Sequence, residues 1–306
     1  MSESIVTSGG SAAAYVARRR EEGTVWGVAR RFAKSSPVGT VSFFFLLFMV
    51  LVAAFADQLA PFSPIDGDYG VTRLAPTAEH WFGTDHMGRD ILSRVVHGAR
   101  ISLTVALTSV LLGDSIGLLW GVVTGYLGGK FDLVSQRVLD VLMAFPGLIL
   151  AMLLVVAVGA GMTTVIIAIA VTRIPLSTRV IRSVALSVKE YAYVEAARTV
   201  GAATPRIMLR HIAPQCIAPF LVVATANIGV AMVTEAALSF LGVGVPPPAP
   251  SWGNMLGGIL AETFKPPWWW VVFPGLALTL TVMSANLFGD AIRDFLDPKM
   301  KGRVIE

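Results

Sequence analysis

Long apolar runs separated by shorter polar segments organise this chain. A hydrocarbon layer of ~30 Å takes about 20 apolar residues at ~1.5 Å rise each, and the pattern predicts six such spans: 35–56, 101–129, 138–158, 162–182, 216–241 and 268–289. The third and fourth are separated at Gly159-Ala160-Gly161, because residues 141–172 carry no charge over a length too great for one upright helix. Helices are expected rather than strands. Only helices or closed barrels satisfy their backbone groups in lipid, and these runs lack the alternating ten-residue pattern of barrel strands.

Composition agrees with the pattern. Of 306 residues 55% are hydrophobic and 14% charged, against roughly 25% charged in an average soluble domain, which excludes a soluble enzyme and a disordered chain alike. Cys216 is the single cysteine, so neither an intrachain disulfide framework nor a cysteine-based metal cluster is available. The net charge is only +4, and no basic face interleaved with aromatic residues suggests a nucleic-acid partner.

The placement of basic residues sets an expected direction. With the amino terminus inside, the inner segments hold 19 Lys and Arg and the outer ones five: Arg73, Arg89, Arg94, Arg100 and Lys265. The positive-inside rule then puts both termini in the cytoplasm and Trp268, Trp269 and Trp270 at the outer interface. Residues 1–36 read as a flexible basic tail near anionic lipid. Ala54-Phe55-Ala56 fits a signal-cleavage pattern, but the apolar run before it is longer than a signal peptide needs, and 37–57 is taken as the first transmembrane helix.

Within the spans, Gly113, Gly117, Gly121, Gly125 and Gly129 recur every fourth residue and make one stripe on the second helix. Such a stripe lets two backbones approach closely, for static packing or for sliding. Asp114 would cost on the order of 3 kcal/mol against lipid, so it faces protein or a watery path. Glu235, near the outer end of the fifth span, is held to the same logic, and both are candidates for the pathway or a gate. Arg173 interrupts the fourth span, and Pro146, Pro175, Pro219 and Pro274 invite kinks.

Between the fourth and fifth spans, residues 189–214 read KEYAYVEAARTVGAATPRIMLRHIAP. A helix up to about Val200 ends at Gly201. A second begins with Thr204 as N-cap and Pro205 in its first turn, and stops before Pro214. Two short helices meeting at a glycine form a knuckle whose alanine face suits close contact with another protein.

This segment resembles the EAA loop of ABC-importer permeases, with Glu195, Ala196, Ala197, Gly201, Ile212 and Pro214 on the matching positions and Ala213 where Leu is usual. HWFGTDHMGRDILSRVVHGARISL, GYLGGKFDLVSQRVLDVLMAFPGLILA, EAALSFLGVGVPPPAPSWGNML and NLFGDAIRDFLDP further resemble the dipeptide, oligopeptide and nickel permeases, in particular their C-type subunit. Around Arg173 the family would place aromatic residues beside the proline; here Ile174 and Ser177 stand instead. The resemblance implies an all-α membrane protein of the type I importer fold, with a five-helix core, 101–290, added to the first span. It implies an extracytoplasmic segment 58–100 and a cytoplasmic tail 291–306 in a bacterial inner membrane. Glu195, Ala196, Ala197, Arg198, Gly201, Pro205, Ile212 and Pro214 would couple to an ATPase. Gly83, Asp85, Gly88, Arg89 and Asp90 would order the outer loop, while Gly113, Gly117, Gly121 and Gly125 pack helices.

The implied partners are a homologous B-type permease, two ATP-binding subunits or a fused equivalent, an extracytoplasmic solute-binding protein and membrane lipid. No cofactor, metal or catalytic residue belongs to this chain on that reading; ATP and Mg are bound by the partner ATPase, because GYLGGKF has Thr124 and Phe131 where a phosphate-binding loop needs Gly and Ser or Thr. The cargo would be di- or oligopeptides, with nickel or another small solute as the alternative. A proton-coupled secondary transporter using Asp114 and Glu235 would leave residues 189–214 unexplained. A metalloenzyme using His80, Asp85, His86 and Asp90 lacks a recognised ligand spacing.

Overall fold

Capping chemistry and proline positions decide where the apolar runs become helices. The computed structural model describes residues 25–262 and 265–296. Its helices of eight residues or more are α1 Val25–Ser35, α2 Pro37–Ala54, α3 Ile91–Leu127, α4 Gly129–Met143, α5 Gly147–Val158, α6 Met162–Val188, α7 Ala192–Thr199, α8 Thr204–Phe240, α9 Trp252–Glu262 and α10 Trp268–Leu296. Among the described residues five helices are long and apolar enough to cross a membrane, and six spans result if the bent pair α4–α5 counts as one.

Several boundaries differ from expectation, each for a local reason. Ser36 accepts from the Gly39 amide at 3.2 Å and Pro37 sits in the first turn, so α2 starts at a cap inside the apolar run. Residues 25–35, expected as part of a loose tail, form helix α1; residues 1–24 lie outside the described part. Asp90 accepts from the Ser93 amide at 2.8 Å and starts α3 at Ile91, ten residues before the expected span. The third span is not one straight helix. Pro146, which has no amide hydrogen to give, breaks it into α4 and α5, bent by 87°. At the other end α10 runs on to Leu296, past the expected limit of the core, and 297–306 lie outside the described residues.

The second knuckle helix does not stop before Pro214. Thr204 is its first residue rather than its cap, and it continues into the fifth span through a π-helical turn at Met208–Ile212. That wider turn accommodates Pro214, whose ring would clash with a carbonyl in a regular helix and which gives no hydrogen bond.

Packing is tightest where α3 meets α6. A Cβ on Gly117 would lie 2.5 Å from the Ser177 Cβ, on Gly121 2.8 Å from the Ile181 Cβ and on Gly125 2.6 Å from the Ala185 Cβ. The glycine stripe therefore serves direct backbone contact between these two helices. Gly129 is not part of it. With Gly128 it adopts positive φ, 59° and 65°, where the chain turns from α3 into α4, and nothing stands within 4 Å of its missing Cβ.

Two larger apolar cores follow, beside a small cluster of Ile91, Val95 and Trp270. One gathers Leu103, Val110, Val165, Ile169, Met232 and Trp252 toward the end of the bundle that carries residues 56–90, here the cap end. The other gathers Val122, Ile181, Val194, Ile207, Ile212 and Cys216 at the opposite, knuckle end.

Candidate functional site

The knuckle is built by burying alternate parts of a short sequence. Val194 of α7 and Ile207 and Ile212 at the start of α8 are buried against Val122 of α3 and Ile181 of α6, which fixes the projection to the bundle. Glu195, Ala196, Arg198, Pro205 and Pro214 are exposed and Ala197 is half-buried. Between the two helices Gly201 has φ +81° with nothing within 4 Å of its missing Cβ, so backbone conformation rather than space demands glycine there. The Arg198 guanidinium lies over the Tyr126 ring, 5.1 Å from its centroid, and ties α7 to the last turn of α3. Val200, 87% exposed, stands at the tip.

Toward the middle of the bundle a polar tie crosses three helices. Asp114 of α3 is fully buried, receives the Ser177 hydroxyl of α6 in a short hydrogen bond and both of its oxygens accept from Asn227 Nδ2 of α8 at 3.1 Å. Arg173, one turn before Ser177, lies within electrostatic reach of Asp114, and its Nε is buried without a hydrogen-bond partner. Ser177 stands where an aromatic side chain is expected from the family pattern. The backbone of α3 at Gly117 passes so close that only a small residue fits. Asn227 was not singled out by sequence, although it is an amide inside an otherwise apolar run.

At the cap end the expected loop motif is ordered by its own charges. Asp85 holds Arg89 at 2.7 Å and faces Arg94 at 3.7 Å, and Asp90 holds His80 at 3.0 Å while capping α3. Thr84 and Asp90 form an isolated antiparallel bridge. Gly83 and Gly88 have positive φ, and a Cβ on Gly88 would strike the Asp68 carbonyl. The three tryptophans are not equivalent interface anchors. Trp270 is buried and donates to the Thr84 carbonyl at 2.7 Å, Trp269 is half-buried, and Trp268 is exposed.

Glu235 is fully buried under this cap. Its Oε1 accepts from the Ser239 hydroxyl at 2.8 Å, and its Oε2 is buried without a hydrogen-bond partner. Above it lies Trp252, whose indole donates to the Val95 carbonyl at 3.0 Å. Between α8 and α10, helix α9 returns and sits on α8, where a Cβ on Gly253 would come within 2.5 Å of the Ala236 carbonyl. Among the described residues no group of three or more His, Cys, Asp or Glu side chains is placed to hold a metal ion.

Helices joined at right angles by a broken span, a projecting knuckle with an EAA sequence and a separate cap define a transport permease. Residues 117–302 match the family described as "Binding-protein-dependent transport system inner membrane component", and residues 24–76 match "N-terminal TM domain of oligopeptide transport permease C". The chain is 43% identical over 274 residues to the glutathione transport system permease protein GsiD of Escherichia coli O1:K1, covering 89% of this chain and 90% of that protein. It is 42% identical, at the same coverage, to the protein of that name from Shigella dysenteriae serotype 1. Among solved structures, an inward-facing conformation of the MetNI methionine ABC transporter matches with a TM-score of 0.55 and 19% identity, over 67% of this chain and 97% of that one, and shows the fold. The chain therefore belongs to the family of binding-protein-dependent inner-membrane transport components, as an oligopeptide-permease-C-like ABC importer permease. It is a multi-pass inner-membrane protein and a non-catalytic transport subunit, ATP hydrolysis belonging to a separate partner.

Proposed function

We propose that the chain forms half of the translocation pathway for di- or oligopeptides, paired with a homologous permease and driven by two ATP-binding subunits that carry the nucleotide and Mg. The relatives named for glutathione, a tripeptide, support a short-peptide cargo delivered by an extracytoplasmic solute-binding protein. Both termini and the knuckle would face the cytoplasm, in keeping with the distribution of basic residues.

The observation that carries this reading is the knuckle's construction. Its apolar residues lock into the bundle and leave Glu195, Ala196 and the Gly201 bend facing outward, the form a rigid lever needs when a motor grips it. Arg198, Pro205, Ile212 and Pro214 set its angle. The lever is useful only if its push reaches the pathway, and two devices serve that end. The Gly113–Gly125 stripe joins α3 to α6, and the Asp114–Ser177–Asn227 tie joins both to α8, so the three helices move as one body in a rigid-body shift between inward-open and outward-open states. In this scheme Asp114 and Glu235 hold the helices that border the pathway, and the cap, ordered from within by Gly83, Asp85, Gly88, Arg89 and Asp90, presents its outer surface to the binding protein.

The test is Gly201→Val in the assembled importer, with ATP turnover and peptide uptake measured together. The open space around Gly201 lets the complex assemble, while the branched residue disfavours positive φ and re-aims the lever. ATP turnover without matching uptake is the expected result; uptake at the unaltered level refutes the coupling role.

A further inference from the structure

Where α1 crosses the α2–α10 pair, the surface opens into a groove of about 830 Å³. The α2–α10 pair is held by close contact, since a Cβ on Gly39 of α2 would overlap the Ala291 Cβ of α10, and the Phe32 ring of α1 comes within 3.3 Å of the same position. Phe32 of α1 then wedges edge-on against Phe288 and Phe295, with ring centroids 6.2 and 5.5 Å apart, and Phe43 packs on Phe288 at 5.5 Å. The walls are therefore hydrocarbon and aromatic. The rim is basic. Helix α1, VWGVARRFAKS, carries Arg30, Arg31 and Lys34 and no acidic residue, and Arg30 lines the groove itself.

We infer that this groove binds an anionic phospholipid, with an acyl chain along Phe43 and Phe288 and the phosphate at Arg30 and Lys34. The argument is charge complementarity at membrane depth. Helix α2 crosses the membrane, so its first turn, where α1 joins it, lies at a bilayer surface. A basic amphipathic helix there is attracted to anionic headgroups, and an apolar slot beneath it shelters a chain that would otherwise meet a ragged helix crossing. A helix from another subunit would also be apolar, but it would make no use of the Arg30 and Lys34 side chains, which an anionic headgroup engages. The inference needs only membrane residence and holds whatever the cargo is.

The decisive experiment is native mass spectrometry of the full chain in detergent, titrated with dioleoyl-phosphatidylglycerol or dioleoyl-phosphatidylcholine. Phosphatidylglycerol adducts should form at concentrations lower by about fivefold or more, the scale expected for one basic residue near an anionic headgroup. The double variant Arg30→Gln, Lys34→Gln should bring the two lipids together, and Ala33→Trp, which fills the slot, should suppress adducts of both. Equal binding of the two lipids by the unaltered chain, or an unchanged preference in the double variant, overturns the proposal. As a readout that needs no variant, phosphatidylglycerol with a photoactivatable acyl chain should label the peptides containing Phe43 or Phe288 in the assembled importer. Labelling elsewhere, or crosslinking of Phe44→Cys to the second permease, shows a different occupant and refutes it.

Discussion

Asn227 on α8 donates to both carboxylate oxygens of Asp114 on α3 at 3.1 Å, joining residues 113 positions apart in sequence. The bond pair turns a costly buried carboxyl into a fastener, because every group in the tie is a hydrogen-bonding one with no lipid-facing alternative. Removing Asp114 strips Ser177 and Asn227 of this bond, and removing Asn227 leaves the buried Asp114 carboxyl with Ser177 alone. Asn227→Leu and Asp114→Ala are each expected to destabilise the chain by about 1–3 kcal/mol, read as a lower midpoint of thermal unfolding in detergent. The double variant should lose less than the sum of the two. Strict additivity would show that the two residues do not act together.

Close approach of α3 to α6 predicts intolerance at the stripe. Gly117→Ala puts a methyl group 2.5 Å from the Ser177 Cβ and 3.1 Å from the Thr178 amide nitrogen, so backbone must shift. Overpacking of this kind costs about 1–3 kcal/mol. Reduced yield of folded permease, with partial recovery when Ser177 is changed to Gly, is the expected pattern. Normal stability of Gly117→Ala would show that the two helices stand further apart.

Trp252 anchors the cap. Its side chain is fully buried and its indole bonds to the Val95 carbonyl, so Trp252→Ala should cost about 3–5 kcal/mol through cavity formation. Trp252→Phe keeps most of the volume and should fall well short of that loss. Faster limited proteolysis between α8 and α10 in the alanine variant is the local signature. Equal protection of the two variants would remove the anchoring role.

Acid should loosen the junction of α2 with α3. The Arg100 guanidinium, bonded to Asp57 at 3.0 Å, and secondly His97, at 3.2 Å, hold the Asp57 carboxyl below its ordinary value of 3.8. A depressed folded-state value means that the contribution is fully present above the ordinary carboxylate range. It is lost as pH falls toward and through the depressed value. Arg100 also donates to the Ala53 carbonyl at 2.8 Å, so the pair closes the end of α2. Thermal midpoints between pH 3 and 6 should fall less steeply in Asp57→Asn than in the unaltered protein. Parallel profiles would dissociate Asp57 from the acid response.

Much of this architecture follows from local signals. An apolar run must become a helix in lipid, so six spans could be read from 35–56 onward, the third of them bent in the structure. Gly201 in a polar stretch between two helix-forming segments specifies a bend without any knowledge of its neighbours. The glycine repeat likewise predicted close contact, though not that α6 would be the helix in contact.

What failed to be read depended on cap and backbone geometry or on distant partners. Capping by Asp90 lengthened α3 beyond its apolar run, and a π turn carried α8 through Pro214 because the widened backbone absorbs what a regular helix would reject. The seat of α9 on Ala236 and the burial of its Trp252 against Val95 rest on contacts far apart in sequence. The identity of each Asp114 partner was equally hidden. Hydropathy and turn chemistry are properties of neighbours in the chain, and they determined the spans and the bend, while the family was read from the resemblance of whole motifs. Which buried polar groups meet depends on helix azimuth and register, set when whole faces pack against one another, and only the tertiary structure decided that.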